Sequence, residues 1–168
     1  KDSRIYLNSC DSLGGAIYAE NSKLEITGTE LSNNSSYLGG AIYLGRESTV
    51  SVHSSDFLNN GAFWGGAIST VGLGKVEVSN SFFNGNTASG WVDTNGPDWN
   101  PDFPTYGGGG AIYQEYADTL KVNGTTFTIN NATAGPGGAI ASYHGGEVIL
   151  DDLVLGNNTA TGGGGAVT

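Results

Sequence analysis

The residues best equipped for chemistry crowd into one short stretch. Between Ser89 and Tyr106 stand Asp93, Asn95, Asp98, Asn100 and Asp102, hard oxygen donors of the kind that hold Ca²⁺. Among them are Trp91, Trp99, Phe103 and Tyr106, rings with a large apolar area and a polar edge that suit contact with a sugar or a protein. The acid spacing does not match an EF-hand loop, so the same residues also read as ordinary turn chemistry. Three prolines, Pro97, Pro101 and Pro104, stiffen the stretch. Elsewhere reactive groups are sparse. His53 and His144 have no neighbouring nucleophile and no metal-ligand spacing, which makes them surface residues. Cys10 is the only cysteine, so no internal disulfide is available. It reads either as a small buried residue or as a thiol for a partner.

The elements that must position this stretch announce themselves as a repeat. From Ile42 an alternating apolar pair follows at Val50 and Val52, then an aromatic at Phe57 and an asparagine at Asn60. The same offsets give Ile68, Val76, Val78, Phe83, Asn86, and then Ile112, Leu120, Val122, Phe127, Asn130. Ile140 opens Val148, Leu150, Leu155, Asn158, and Ile17 opens a slightly tighter Leu24, Ile26, Leu31, Asn34. Each copy begins with Gly-Gly-Ala, at 14, 39, 65, 109, 137 and, followed by Val167, at 164. A fixed period in the twenties means stacked supersecondary units rather than a domain with one central core. The stretch from Ser89 to Tyr106 is the exception, an insertion into an interval that runs to 44 residues.

Apolar residues arrive in short runs bounded by Gly, Asn and Ser, which is strand and turn chemistry, and no window keeps a helical period. A leucine-rich repeat would need Leu at Leu-x-x-Leu-x-Leu positions and a helical half, and has neither. The expectation is an all-β chain: a right-handed, single-stranded parallel β-helix of about six coils of 25–28 residues, three short strands each, spanning 1–168 with a loop inserted at 89–106. Leu24/Ile26, Val50/Val52, Val76/Val78, Leu120/Val122 and Val148/Leu150 form two inward columns, and Leu31, Phe57, Phe83, Phe127 and Leu155 a third. Asn34, Asn60, Asn86, Asn130 and Asn158 fall where the chain turns, and stacked amides can bond to one another and to turn backbone. At the start, Ile5-x-x-Asn8 looks like a partial coil, with Leu7 a further inward candidate. Tyr18, Tyr43 and Tyr113 share one outward position and would stack as an aromatic column, which stabilises a sheet and offers a possible sugar surface.

Repeated Gly-Gly-Ala-Ile paired with Phe-x-x-Asn resembles the repeats of the chlamydial polymorphic membrane protein family. The likeness covers nearly all of the chain outside the insertion, with Leu31 and Leu155 in place of Phe and Val167 in place of the last Ile. Similar repeats occur in other large extracellular β-helix proteins. The resemblance implies an autotransporter-type adhesin passenger, a surface-displayed β-helix.

Charge narrows the partners. Six Lys and Arg against 16 Asp and Glu give a net charge of −10, which disfavours nucleic acid, anionic membranes and polyanionic substrates such as pectate. No apolar run approaches the roughly 18 residues of a membrane helix, so direct membrane insertion by this segment is not expected. Nor is a basic-then-apolar leader visible at Lys1. The outward residues of the main strand, Lys23/Glu25/Thr27 through Glu147/Ile149/Asp151, interleave opposite charges instead of clustering carboxylates. The expected role is therefore a non-enzymatic extracellular or cell-surface adhesin or architectural module, with a subunit of an extracellular filament and a carbohydrate-active β-helix enzyme as alternatives. Partners would be a protein or glycan on a host or neighbouring cell, or further copies of the chain. No cofactor is expected apart from the candidate calcium at the loop. In a eukaryotic source, glycans would attach at Asn33, Asn123, Asn131 and Asn157, whereas Asn34 faces inward. The last coil stops at Thr168 after one strand, which reads as a window on a longer solenoid.

Overall fold

The computed structural model describes residues 2–90 and 107–168. The candidate site residues Trp91, Asp93, Asn95, Asp98, Trp99, Asn100, Asp102, Phe103 and Tyr106 lie outside the described residues.

The chain winds as a right-handed parallel β-helix of about five turns, one fewer than the sequence period suggested. Among the described residues all strand pairs between turns are parallel, and four sheets run along the rod. The aromatic sheet stacks Arg4–Tyr6, Glu30–Ser32, Asp56–Leu58, Phe82–Asn84, Thr126–Thr128 and Val154–Gly156. The aliphatic sheet stacks Lys23–Thr27, Ser48–His53, Gly74–Ser79, Thr119–Asn123 and Glu147–Asp151. The isoleucine sheet stacks Ile17–Ala19, Ile42–Leu44, Ile68–Val71, Ile112–Glu115 and Ile140–Tyr143. The fourth, which three strands per coil did not anticipate, is the alanine sheet: Gly61–Ala62, Thr87–Ala88, Asn131–Ala132 and Thr159–Ala160.

Register follows the repeat residue for residue. Val52 pairs with Val78 and Val78 with Val122, while Phe57 pairs with Phe83 and Phe83 with Phe127. Because side chains alternate along a strand, those residues fill the interior. Val50, Val76, Leu120, Phe57, Phe83, Phe127, Ile42, Ile68, Ile112 and Ile140 are fully buried. The phenyl rings stack nearly parallel, with centroids 4.5 Å apart between Phe57 and Phe83 and 4.8 Å between Phe83 and Phe127. Each such ring, taken fully out of water, contributes about 2–3 kcal/mol. Inward residues of the first and last turns are only partly covered; Leu150 is 37% and Leu155 40% exposed.

Two polar ladders fix the corners of the aromatic sheet. Each ladder asparagine donates its backbone N–H and its Nδ2 to Oδ1 of the equivalent asparagine one turn on, from Asn8 through Asn34, Asn60, Asn86 and Asn130 to Asn158, at 2.9–3.1 Å. From Asn34 onward a second Nδ2 bond reaches back to the carbonyl of the inward aromatic-sheet residue in the preceding turn, such as Phe57 O from Asn86. At the opposite corner Thr29, Ser55, Ser81 and Thr125 form a hydroxyl ladder: each hydroxyl donates to the carbonyl two residues back, and those of Ser55, Ser81 and Thr125 accept the N–H of the ladder residue in the turn before.

Each corner also carries a column of left-handed residues. The ladder asparagines are not among them; the residue just before each one is, namely Leu7, Asn33, Asn59, Gly85, Ile129 and Asn157. Leu7 is accordingly turned out, 73% exposed, rather than inward, while Ile5 takes the inward place by pairing with Leu31.

Candidate functional site

The insertion interrupts the sequence without interrupting the stack. Across its 44-residue interval Asn86 N still meets Asn130 Oδ1 at 3.1 Å. The ends of the insertion meet at one corner, where a Cβ placed on Gly107 would lie 2.5 Å from the Gly90 Cα. Any additional side chain there would drive the two ends apart.

Aromatic residues gather near this corner. Tyr37, Phe63 and Trp64 pack together, with Tyr37–Phe63 centroids 4.8 Å apart, and Trp64 stacks on Tyr113 at 5.4 Å. The expected tyrosine column is broken: the register reads Tyr18, Tyr43, Ser69, Tyr113, Ala141. Tyr18 does stack on Tyr43, at 5.8 Å with planes 5° apart. Tyr113 is instead held between Trp64 and Tyr143 and is 5% exposed. A ring whose face rests on another ring offers a ligand mainly its edge, so these pairs suit sheet cohesion better than sugar stacking. Burial pushes the Tyr113, Tyr43 and Tyr143 phenols above their ordinary value, with the Glu115 carboxylate adding to the effect at Tyr113 and Tyr143 and Glu20 at Tyr43.

The outer wall of the aliphatic sheet carries the polar residues in rows along the rod. Lys23, Thr49, Lys75, Thr119 and Glu147 form one row; Glu25, Ser51, Glu77, Lys121 and Ile149 the next; Thr27, His53, Ser79, Asn123 and Asp151 the third. At the near end Lys23 Nζ lies 2.6 Å from Glu25 Oε1 and holds that carboxyl below its usual range. Farther along, the second and third rows border an open depression of about 450 Å³ whose floor includes Val52 and Val78. His53 Nδ1 is 3.0 Å from Ser79 Oγ, and Asn123 Nδ2 donates to Asp151 Oδ2 at 2.9 Å. Among the described residues no hydrogen bond or ion pair engages the side chains of Ser51, Glu77 or Lys121. No group of three or more His, Cys, Asp or Glu sits where it would hold a metal ion, again among the described residues.

Other sequence candidates take these places. Cys10 is exposed and free, so the reading of it as a small buried residue fails: it lies on the surface beside Ser9, outside the inward columns. His144 is exposed and stacked on Tyr116 at 4.9 Å. Of the sequon asparagines, Asn33 and Asn157 are exposed on the left-handed corner. Asn123 and Asn131 are half-buried, the latter accepting from Thr159 Oγ1, and Asn34 is 1% exposed within the ladder.

Residues 80–115 match the family model of the Chlamydia polymorphic membrane protein (Chlamydia_PMP) repeat. The matched stretch starts just ahead of Phe83 and Asn86, spans the insertion and ends on the Gly-Gly-Ala-Ile strand of the following turn. It thus contains both halves of the repeat pair, Phe-x-x-Asn and Gly-Gly-Ala-Ile, which the structure places on the aromatic and isoleucine sheets. No curated protein and no solved structure matches the chain.

The alanine sheet was the part of this scaffold that sequence reasoning missed. Its signal was present as an Ala two residues beyond the ladder Asn, at Ala62, Ala88, Ala132 and Ala160. The hydroxyl ladder was equally visible as Ser or Thr two residues before the aromatic-sheet Leu or Phe.

Proposed function

We propose that this chain is a non-enzymatic β-helix module of an extracellular or cell-surface protein, serving adhesion or surface architecture. The observation that carries the reading is the match of residues 80–115 to a repeat of surface-associated membrane proteins, found in a chain whose turns repeat that motif in register. Among the described residues the inward columns are packed with apolar side chains, so the binding capacity of such a rod lies on its outward rows and on its loops. The insertion at 89–106, with Trp91, Trp99, Phe103 and Tyr106, is the first recognition element of this reading, and its partner is a protein or glycan on an apposed cell. Asp93, Asn95, Asp98 and Asp102 are candidate calcium donors within it.

Beads coated with the chain test the proposal on cell monolayers. Adherence above that of beads coated with Trp91→Ala/Trp99→Ala protein is the expected result. Equal adherence of both, or turnover of a glycan abolished by one Asp or Glu substitution, would overturn it.

A further inference from the structure

The depression on the aliphatic sheet has a lining that the adhesive reading does not by itself require. We propose that it binds a neutral oligosaccharide lying along the rod axis. This deepens the adhesive reading by naming a ligand class, and rests on it only in treating the wall as a surface that binds without cleaving.

The geometry supports a chain-like ligand. The depression crosses four consecutive strands, from Ser51 and His53 through Glu77 and Ser79 to Lys121, Asn123 and Asp151. Parallel strands repeat at about 4.8 Å, close to the length of one sugar unit in an extended chain, so each step along the ligand meets an equivalent step of the wall. Its volume of about 450 Å³ lies within the range of small-ligand sites.

The chemistry supports hydroxyl groups. A sugar hydroxyl donates and accepts at once, and is best held where a donor and an acceptor stand side by side. The wall offers such couples across adjacent strands: Glu77 beside Lys121, Asn123 beside Asp151, His53 beside Ser79. Glu77 and Lys121 are not consumed by each other, and charged groups make the stronger hydrogen bonds to a neutral partner.

Charge selects against the other ligand classes. Glu77 and Asp151, on a chain of net charge −10, repel uronates, phosphates and sulfates. Lys121, between Glu77 and Ile149 in its row, opposes a cationic chain. With no aromatic ring on its floor, the site gains little from stacking, so affinity for one chain is weak and repeated display supplies avidity.

The test is an NMR titration of the ¹⁵N-labelled 168-residue chain with cellotetraose, xylotetraose and maltotetraose, and with tetragalacturonate as the acidic comparison. The expected result is movement of the backbone resonances of residues 51–53, 77–79, 121–123 and 151 with at least one neutral tetrasaccharide at about 10 mM or below. Lys121→Ala and Asn123→Ala, both outside the core, should each weaken that binding roughly tenfold while leaving the remaining spectrum in place. No movement with any of the three, movement confined to other surfaces, or equal movement with tetragalacturonate would overturn the proposal. Shortened oligosaccharides in the tube would contradict the non-enzymatic reading and leave the groove as a saccharide site; loss of bead adherence without loss of titration would place the cell contact elsewhere.

Discussion

Asn86 shows what one repeat residue does. Its Oδ1 accepts from Asn60 N and Nδ2, and its Nδ2 donates to Phe57 O and Asn130 Oδ1, all between 2.9 and 3.0 Å and all out of water. Asn86→Ala leaves those groups unpaired in the interior, so urea unfolding should show a loss of about 3 kcal/mol; Asn84→Ala, at a half-buried neighbour, should cost under about 1 kcal/mol. Ile129 is the opposite case. It is a β-branched residue at φ 59° in a column otherwise occupied by Asn, Gly and Leu, and it is 58% exposed. Left-handed backbone costs such a residue about 1–2 kcal/mol, while its burial gains little. Ile129→Asn should therefore raise stability by about 1 kcal/mol in the same assay. A decrease would mean that the exposed Ile side chain makes a contact that the left-handed column does not require.

At the scale of the element, legibility tracked side-chain size. The aromatic and aliphatic sheets could be read from sequence because Phe57, Phe83 and Phe127, or Val52, Val78 and Val122, are large, apolar and evenly spaced. The alanine sheet could not, because its strands are two residues long and turn only a methyl group inward. The Asn column was visible as a spacing, yet its left-handed residue proved to be the preceding one, since backbone conformation at a corner leaves a mixed signature of Asn, Gly and even Ile. The candidate residues of the insertion have no counterpart in the other copies of the repeat, so the repeat pattern carries no expectation for them. On the wall of the aliphatic sheet the interleaved charges were legible, but that Glu77 stands beside Lys121, 44 residues away in sequence, follows only from the in-register pairing. Glycine gives the clearest element-level prediction. A Cβ on Gly66 would stand 2.2 Å from Gly110 O, whereas one on Gly61 would meet nothing nearer than Thr87 O at 4.0 Å. Gly66→Ala should push adjacent turns apart and cost more than about 3 kcal/mol, and Gly61→Ala should fall within about 0.5 kcal/mol of the parent. Comparable midpoints for the two would contradict the close approach of the turns.

The whole molecule has no central core, and its stability is a sum of layers held by apolar columns and two polar ladders. That arrangement predicts a response to alkali. Tyr113, Tyr43 and Tyr143 have phenols raised above 10.0, chiefly by burial. A raised value means that the neutral phenol is favoured in the folded rod. Its contribution is intact below pH 10 and is lost as pH climbs from there toward the folded-state value, while the unfolded chain ionises. For Tyr113, which is almost fully covered, the slope approaches about 1.4 kcal/mol per pH unit. Thermal unfolding between pH 9 and 11 should show a falling Tm, with a shallower fall in Tyr113→Phe; an unchanged slope in that variant would mean the phenol is solvated.

The layering itself is open to a direct chemical measurement. With Cys10 changed to Ser, paired cysteines replace outward residues of the third row of the aliphatic sheet: His53 and Ser79, which are Cα partners on adjacent turns, or His53 and Asn123, two turns apart. Adjacent parallel strands bring Cα atoms within the roughly 4.4–6.8 Å that a disulfide spans, and two strand spacings exceed it. Under mild oxidation the 53/79 pair should close into an intramolecular disulfide and the 53/123 pair should remain as free thiols. Closure of 53/123 in preference to 53/79 would contradict the in-register stack on which the sheets, the ladders and the proposed saccharide groove all depend.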